Sequence, residues 1–328
     1  MKMDDGNRCC ERRGCEVRIE RDLIGERELP KDAYYGIQSL RGFENFRITG
    51  LKLHPALIKA MAMVKKAAAL ANTELGYIPK EVGAAIMAAS DELIEGKLHD
   101  QVIVDPIQGG AGTSINMNIN EVIANRAIEI LGGEKGDDRL VSPLNHVNRS
   151  QSTNDAVPTA ARIAIQMELE NTIKALDKLA SSMESKAEEF KDVIKMGRTH
   201  LQDAVPITLG QEFSAWAGAI RRDIERIQQA AEALNVINLG GTAVGTALNA
   251  DMEYIRISCS ELAKISGYPL RTAENLVDAT QNADVLAQLS SCLKVCAINL
   301  CKIANDMRLL ASGPMAGIGE IILPAVQP

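Results

Sequence analysis

The first residues able to do chemistry lie in GGAGTSINMNINE, at positions 109–121. There Thr113, Ser114 and Asn116 follow a glycine-rich turn and precede a helical run. Hydroxyls, side-chain amides and the free backbone amides of a helix N-terminus together predict a pocket for an anion. The alternative interpretation of this stretch, taken alone, is a loop with an ordinary helix N-cap.

A second stretch, NRSQSTNDAVPT at positions 148–159, places Ser152, Thr153 and Asn154 directly before a long helical pattern. These donors again lie where a helix begins, which indicates an anion site. Asp155 is also a suitable N-cap and Ser152 a suitable turn residue, so a purely structural interpretation stays open.

A third stretch, KMGRTHLQDAVPITLGQE at positions 195–212, places Thr199 and His200 in a predicted loop between two helical patterns. An isolated histidine is often structural, but the surrounding hydroxyls and amides equally favour contact with a ligand. None of the three stretches contains a metal-ligand cluster, a Cys/His nucleophile pair or a phosphate-loop signature. Such neutral donors suit a small dicarboxylate, because they bind a carboxylate more tightly once it gains charge as an enediolate.

Three long hydrophobic repeats predict the helices that position these stretches. Each repeat alternates gaps of four and three residues, as in a heptad seam. The seams are Leu169, Ile173, Leu176, Ala180, Met183, Ala187 and Phe190; Phe213, Ala217, Ile220, Ile224, Ile227, Ala231 and Leu234; and Leu293, Ala297, Leu300, Ala304, Met307 and Ala311. Connections that contain Gly and Pro separate the seams, which favours a folded bundle over a simple coiled coil.

The first 150 residues have a different pattern. Shorter helical patterns cover positions 55–75, 79–95 and 117–131, and the segment at 19–50 contains a short extended or loop region rich in charge. We therefore predict an all-α fold in three parts. These are a polar, disordered leader at 1–17, an N-terminal helical domain at 18–150 and a central helical bundle at 151–328.

Composition excludes several classes of function. Of the 328 residues, 46% are hydrophobic and only 3% aromatic, which is typical of a globular protein built from long helices. The net charge of −7 is spread along the chain and predicts no surface for nucleic acid or anionic membrane. No run approaches the roughly 20 apolar residues of a membrane span and the N-terminus lacks a signal-peptide core, so we expect a cytoplasmic protein. The cysteines are predicted to be reduced.

Together the three stretches resemble core motifs of the aspartase/fumarase superfamily. The resemblance runs from residue 19 to residue 328 and includes LGGTAVGTALN at 239–249 and MRLLASGPMAGIGEIILP at 307–324. Fumarases usually carry TGSGT and SSND, whereas GGAGT and STND in this chain are similar to aspartases. The GGTAVGT and SGPMAGIGEI segments also look fumarase-like. The resemblance implies an ammonia-lyase that acts on L-aspartate, with a class II fumarase as the alternative.

The resemblance also implies roles for individual residues. It implies that Thr113, Ser152, Thr153 and Thr199 bind the substrate carboxylates. Asn154 and His200 are implied to lie near the amino group and the other carboxylate. Asn116 is implied to support this set. The implied reaction removes the Cβ proton, passes through an aci-carboxylate and expels ammonia without an organic cofactor. The family's second anion site has a histidine where this chain has Ser142, so that site is not carried over.

Further expectations concern assembly and the C-terminus. The resemblance implies a homotetramer whose sites draw motifs from three subunits. Some aspartases are activated by a divalent metal at a remote site, for which this sequence identifies no ligands. The family's GSS-x-MP-x-K-x-N loop, which supplies a serine base, would begin after Pro328, and a C-terminal domain would follow it. We therefore expect little activity from these 328 residues alone, and a non-catalytic helical scaffold is the competing hypothesis.

Overall fold

The computed structural model describes residues 16–326, and most of them are helical, as the sequence predicts. The α-helices of this range are α1 (Ile37–Asn45), α2 (Pro55–Glu74), α3 (Lys80–Ile94), α4 (Thr113–Ile130), α5 (Thr153–Glu189), α6 (Leu209–Glu232), α7 (Met252–Ser266), α8 (Leu276–Gln281) and α9 (Asp284–Leu310). Its strands are β1 (Val17–Asp22), β2 (Gly25–Pro30), β3 (Ile194–Thr199), β4 (Gln202–Thr208), β5 (Val236–Ile237) and β6 (Arg271–Thr272). Cys9, Cys10, Cys15 and most of the predicted leader lie outside the described residues.

Local signals explain where several helices begin and end. Helix α2 begins with Pro55 in its first turn, where a missing N–H costs nothing, and α7 ends at Gly267, whose φ of 76° suits a left-handed cap. Helix α6 begins with a capping box in which Thr208 and Gln211 each accept a hydrogen bond from the other's backbone N–H. The short extended or loop region predicted within 19–50 corresponds to β1 and β2, whereas α1 was not predicted.

The first of two compact units comprises the described residues up to Met167 together with Asn235–Asn282. Within it α2 packs against α3 and α7, and α4 packs against α1 and α3. The alanine-rich faces allow close approach, since a Cβ added at Gly83 of α3 would lie 1.9 Å from the Thr73 hydroxyl oxygen of α2. The core therefore consists of small and aliphatic side chains, with the Tyr254 ring fully buried among them.

The second unit comprises Glu168–Leu234 and the described residues from Ala283 onward. In this unit α6 packs against α9, and the predicted α6 seam is buried or half-buried, including Ile220 and Ile227 at 0% exposure. The Trp216 indole N–H donates to Asp306 across this pair of helices. Arg221 of α6 forms ion pairs with Asp177 and Glu184 of α5.

Helix α9 departs from the predicted seam. Its buried residues are Leu289, Cys296, Ile303 and Leu310, spaced seven apart, whereas the predicted seam from Leu293 to Ala311 is exposed or half-exposed. Apolar side chains cover more than one face of α9, and packing against α6 buries one of them while the seam from Leu293 to Ala311 stays uncovered in this chain. By length and composition alone, α9 is also apolar enough to cross a membrane, which in a single helix is weak evidence for a span.

The compact units do not follow the predicted boundary at residue 150. Helix α5 begins in the first unit and ends in the second, and residues 235–282 return to the first unit. A boundary drawn along the sequence misses this return because the segment after α6 pairs with distant residues of the first unit. The domain limits 18–150 and 151–328 stay predictions.

Candidate active site

The glycine-rich turn before α4 presents Thr113 at the first helical position, exposed to solvent. Ala111 and Gly112 both adopt positive φ, at 49° and 92°, which bends the chain into the helix. The Thr113 hydroxyl donates to the carbonyl of Gly110 at 2.7 Å and keeps its lone pairs. Gly112 also permits contact with α5, because an added Cβ would lie 2.9 Å from a methyl group of Val157.

Three backbone N–H groups at the start of α4 already have partners within the protein, and the anion pocket at this turn stays a prediction. The Gln108 side-chain oxygen accepts from the N–H of Ser114 at 2.8 Å and of Ile115 at 3.2 Å, so it acts as the cap of α4. The N–H of Thr113 donates to Gly110. The Thr113 hydroxyl can bind an anion only when its proton turns away from the carbonyl of Gly110. Gln108 is a participant that sequence reasoning missed.

The second predicted stretch forms the first turn of α5. The Ser152 hydroxyl accepts from the N–H of Asn154 at 3.2 Å, and the Asp155 carboxylate accepts from the N–H of Ser152 at 2.9 Å. Ser152 and Asp155 therefore cap the helix, as the structural interpretation expects. Asn154 is exposed, and the anion site at this stretch stays a prediction. Thr153, the first residue of α5, is half-buried.

A buried lysine lies beneath these two stretches. Lys65 of α2 is 0% exposed, and its Nζ donates to the side-chain oxygens of Asn116 at 2.7 Å, Asn148 at 3.0 Å and Gln151 at 2.9 Å. Burial lowers the pKa of Lys65 to about 7, against the opposing charge of Asp155. This ammonium joins the α4 stretch to the segment before α5, and no local sequence signal distinguishes it from Lys66.

Asn116 is a supporting residue in this arrangement. It is 1% exposed, its side-chain oxygen accepts from Lys65, and its NH₂ group donates to Asn148 at 3.1 Å. Asn120 donates to the same Asn148 oxygen at 3.2 Å. The amide group of Asn116 is thus engaged within the protein, and its direct contact with substrate stays a prediction.

Asp155 is a second buried charge in the first unit, at 0% exposure. Burial raises its pKa, while hydrogen bonds from the backbone N–H groups of Ser152, Thr242 and Gly240 and the charge of Lys65 oppose that rise. The loop that contains Gly240 and Thr242 belongs to LGGTAVGTALN, a segment without an assigned role in the sequence. Asp155 therefore connects it to the first turn of α5.

Thr199 and His200 lie in the second unit, at the tip of the β3–β4 hairpin rather than in the predicted loop. Thr199 pairs with Gln202, so His200 and Leu201 form a two-residue turn with φ of 48° and 62°. Such turns usually contain Asn or Gly, since a bulky residue at positive φ is strained. Both predicted site residues are exposed.

Ion pairs hold the base of this hairpin. Lys195, with a side chain only 7% exposed, lies 2.6 Å from Glu212 and 2.6 Å from Glu320, and Arg198 lies 2.5 Å from Glu320. These contacts lower the pKa of Glu320 despite its partial burial. The SGPMAGIGEI segment is thus fastened to the strand that leads to Thr199.

The structure brings together Thr113, Asn116, Ser152, Thr153 and Asn154 within the first unit, through Lys65, Asn148 and the Gly112–Val157 contact. Among residues 16–326, no group of three or more His, Cys, Asp and Glu side chains is arranged to hold a metal ion.

Comparison with known proteins gives concordant matches. A family model described as "Lyase" matches residues 25–328. Aspartate ammonia-lyase from a Bacillus species is 62% identical over 313 residues, which cover 95% of this chain and 67% of the relative. The chain thus spans about two thirds of that protein's length.

Solved structures with the same fold are also similar. A fumarate lyase:delta crystallin from Brucella melitensis, bound to cobalt, aligns with a TM-score of 0.94 at 51% identity and covers 95% of this chain and 68% of that one. A class II fumarase from Schistosoma mansoni aligns with a TM-score of 0.92 at 34% identity and covers 95% and 69% of the two chains. The all-α fold predicted from the sequence is confirmed by these likenesses.

Proposed function

Because this chain belongs to the lyase family, we propose that the protein acts as an aspartate ammonia-lyase, which eliminates ammonia from L-aspartate to give fumarate. The observation that carries the choice of substrate is the 62% identity to an aspartate ammonia-lyase, against 34% to a class II fumarase. The STND and GGAGT motifs support the same choice.

We assign binding of the dicarboxylate to side-chain donors at two helix beginnings of the first unit and, in the assembly proposed below, to donors at the hairpin tip of another subunit. Thr113, Ser152 and Thr153 contribute hydroxyls next to the N-termini of α4 and α5, whose partial positive charge favours a carboxylate. Asn154 and His200 are assigned to the amino group and the other carboxylate, and Thr199 adds a hydroxyl. Asn116 supports this set from below.

In the proposed reaction, a base takes the proton from Cβ, and the electron pair of the broken C–H bond becomes the enediolate of the adjacent carboxylate. The enediolate then collapses to the carbon–carbon double bond, and the Cα–N electron pair leaves with nitrogen as ammonia. Fixed donors that bind the enediolate more tightly than the carboxylate lower the barrier. The serine base implied by the family resemblance stays a proposal, and we assign that role to no residue among 16–326.

We propose no organic cofactor for this reaction. Activation by a divalent metal at a remote site also stays a proposal without assigned ligands. The substrate supplies its own leaving group, and the carboxylate next to Cβ accepts the negative charge, so hydrogen-bond donors and a base account for each step.

We further propose a cytoplasmic homotetramer that shares its sites between subunits. Two features of the second unit support this assembly. Helix α9 has an exposed apolar face that includes Ile298 at 59%, and the hairpin exposes Leu201 at 67% and Val205 at 69%. Exposed apolar side chains grouped on one face are the kind of surface that marks a protein contact.

The experiment that tests the proposed function is an assay of the protein as its gene encodes it, with L-aspartate and L-malate supplied separately and fumarate followed by absorbance. Formation of fumarate from L-aspartate only is the expected result. Turnover of L-malate alone would replace the proposal with a fumarase, and inertness toward both would favour the helical scaffold.

A further inference from the structure

The buried carboxylate of Asp155 connects the first turn of α5 to a loop more than eighty residues later. One oxygen accepts from the N–H of Ser152 at 2.9 Å. The other accepts from the N–H of Gly240 at 3.1 Å and of Thr242 at 2.9 Å. All three donors are backbone groups, so the carboxylate fixes the path of the main chain on both sides.

The loop adopts a backbone conformation that needs such support. Gly240 and Gly245 have φ of 88° and 86°, and Thr242 has φ of 57°, which is unfavourable for a β-branched residue. A Cβ added at Gly240 would lie 2.4 Å from the Ile255 side chain, so the loop is also pressed against α7. Strained backbone persists only where its surroundings determine it, and the Asp155 hydrogen bonds supply that constraint.

The next residue of the loop orients a predicted site residue. The carbonyl of Ala243 accepts from the side-chain NH₂ of Asn154 at 2.7 Å. Because a carbonyl only accepts hydrogen bonds, the end of the Asn154 amide that faces Ala243 must be the NH₂ group. The Asn154 side-chain oxygen therefore points away from Ala243. Asn238, at the start of the loop, donates to the backbone carbonyl of Asn154 at 3.0 Å. Asn154 is exposed, so its oxygen is available to a ligand.

We propose that Asp155 is a positioning residue, which holds the loop at 240–243 so that Ala243 turns the Asn154 amide oxygen toward the amino group of the substrate. An ammonium group carries three donors and no lone pair, and an oriented oxygen acceptor therefore recognises it. This inference rests on the proposed function, because it takes the amino group of L-aspartate as the ligand of Asn154.

A double-mutant cycle separates this role from a general structural one. Asn154→Ala should lower kcat/KM for L-aspartate about 10- to 100-fold, the range for losing a hydrogen bond to a charged group. Asp155→Asn places an NH₂ group against the backbone donors, so it should cause a loss of similar size. In the double variant the loss should match that of Asn154→Ala alone, because Asp155 acts through Asn154.

Asp105→Asn is the matched control. Asp105 is also a buried carboxylate that accepts from three backbone N–H groups, those of Thr49, Gly50 and Ile107. Any loss of kcat/KM caused by Asp105→Asn should multiply with the loss caused by Asn154→Ala. The reason is that the hydrogen bonds of Asp105 do not include the loop at 240–243.

Hydrogen exchange supplies a readout that does not depend on turnover. In the wild type, the amides of Gly240 and Thr242 should exchange at least tenfold more slowly than those of exposed loops, and Asp155→Asn should abolish that protection while α2 and α4 keep theirs. If Asp155→Asn does not fold, Asn238→Ala tests the same loop. Combined with Asn154→Ala, it should lower kcat/KM no further than Asn154→Ala alone.

The outcomes distinguish this inference from the proposed function. A wild type inert toward L-aspartate would reject the function, and the exchange rates would still test the loop. If the protein turns over L-aspartate but the losses from Asp155→Asn and Asn154→Ala multiply, the positioning role is overturned and the proposed function stands. The same conclusion follows if the amides of Gly240 and Thr242 are not protected from exchange.

Discussion

The ammonium of Lys65 lies 2.7 Å from the side-chain oxygen of Asn116, and both side chains are buried. The acceptors around Lys65 are neutral amides, so its charge is held by dipoles rather than by a directly bonded carboxylate. This contact fixes the orientation of the α4 stretch from below, and it makes the stability of the site depend on pH.

Replacement of Lys65 by Met should remove a specific pH dependence. The pKa of Lys65 falls from its ordinary 10.5 to about 7 on folding, so between these values the unfolded chain binds a proton that the folded protein has released. The free energy of unfolding of the wild type should therefore rise with pH from about 7 relative to Lys65→Met, by up to about 1.4 kcal/mol per pH unit. Denaturant titrations at several pH values measure this difference.

Lys66→Met provides the control for this series. Lys66 is the neighbouring lysine of α2, is partly exposed and pairs with Asp91. A pH-dependent difference of the same size in both variants would show that Lys65 is not its source.

Glu121 should make the free energy of unfolding depend on pH with the opposite sign to Lys65. It accepts from the backbone N–H groups of Gly36, Gln38 and Ser39 and so caps α1 from α4, while burial raises its pKa to about 7. Between the ordinary value of 4.5 and about 7, the folded protein holds a proton that the unfolded chain has released. Wild-type stability relative to Glu121→Gln should therefore increase as pH falls from 7 to 4.5. If the difference in stability between the wild type and Glu121→Gln did not change with pH, the backbone hydrogen bonds to Glu121 would offset the effect of burial on its pKa.

Thr113→Val should lower kcat about 10²-fold or more with little change in KM, since its hydroxyl is assigned to the charge that develops on the carboxylate. Thr172→Val is the matched control, because Thr172 is also exposed and its hydroxyl also donates to a backbone carbonyl, that of Glu168 at 3.1 Å. A change confined to KM would assign Thr113 to ground-state binding.

His200→Gly should weaken turnover of L-aspartate without loss of stability. Glycine accepts the positive φ of this turn, so the substitution removes the imidazole and relieves strain at the same time. Leu201→Gly relieves similar strain and keeps the imidazole, so it should lose less activity than His200→Gly at protein concentrations where sedimentation shows the intact assembly. Steady-state kinetics and melting temperatures of the two variants test this pair. If His200→Gly and Leu201→Gly had the same kcat and KM for L-aspartate, His200 would have a structural role only.

Ile298→Lys should dissociate the proposed tetramer, because it places a charge on the exposed apolar face of α9. Sedimentation velocity measures the change in mass. Ile48→Lys is the control, since Ile48 is equally exposed at 59% but lies in the first unit, away from α9 in sequence. A tetramer unaffected by Ile298→Lys would place the interface elsewhere.

Signals confined to a few residues were readable from the sequence. The patterns at 55–75, 79–95 and 117–131 predicted α2, α3 and α4 to within a few residues, and the seams predicted the long helices α5, α6 and α9. The donor stretches at 109–121 and 148–159 were correctly placed at helix beginnings. Helical periodicity and capping act over one or two turns, so neighbouring residues are enough to encode them.

Choices among distant partners required the tertiary structure. Lys65 and Lys66 are identical in type and adjacent, yet only packing makes the first a buried donor to residues 51 to 86 positions away. The same holds for Asp155, whose second partner loop lies 85 to 87 positions away. The turn at His200 and Leu201 lacks the residues that normally signal it, and α9 offers more than one apolar face. In each case the free energy comes from contacts between segments that the chain brings together only on folding, and no local pattern records which contacts form.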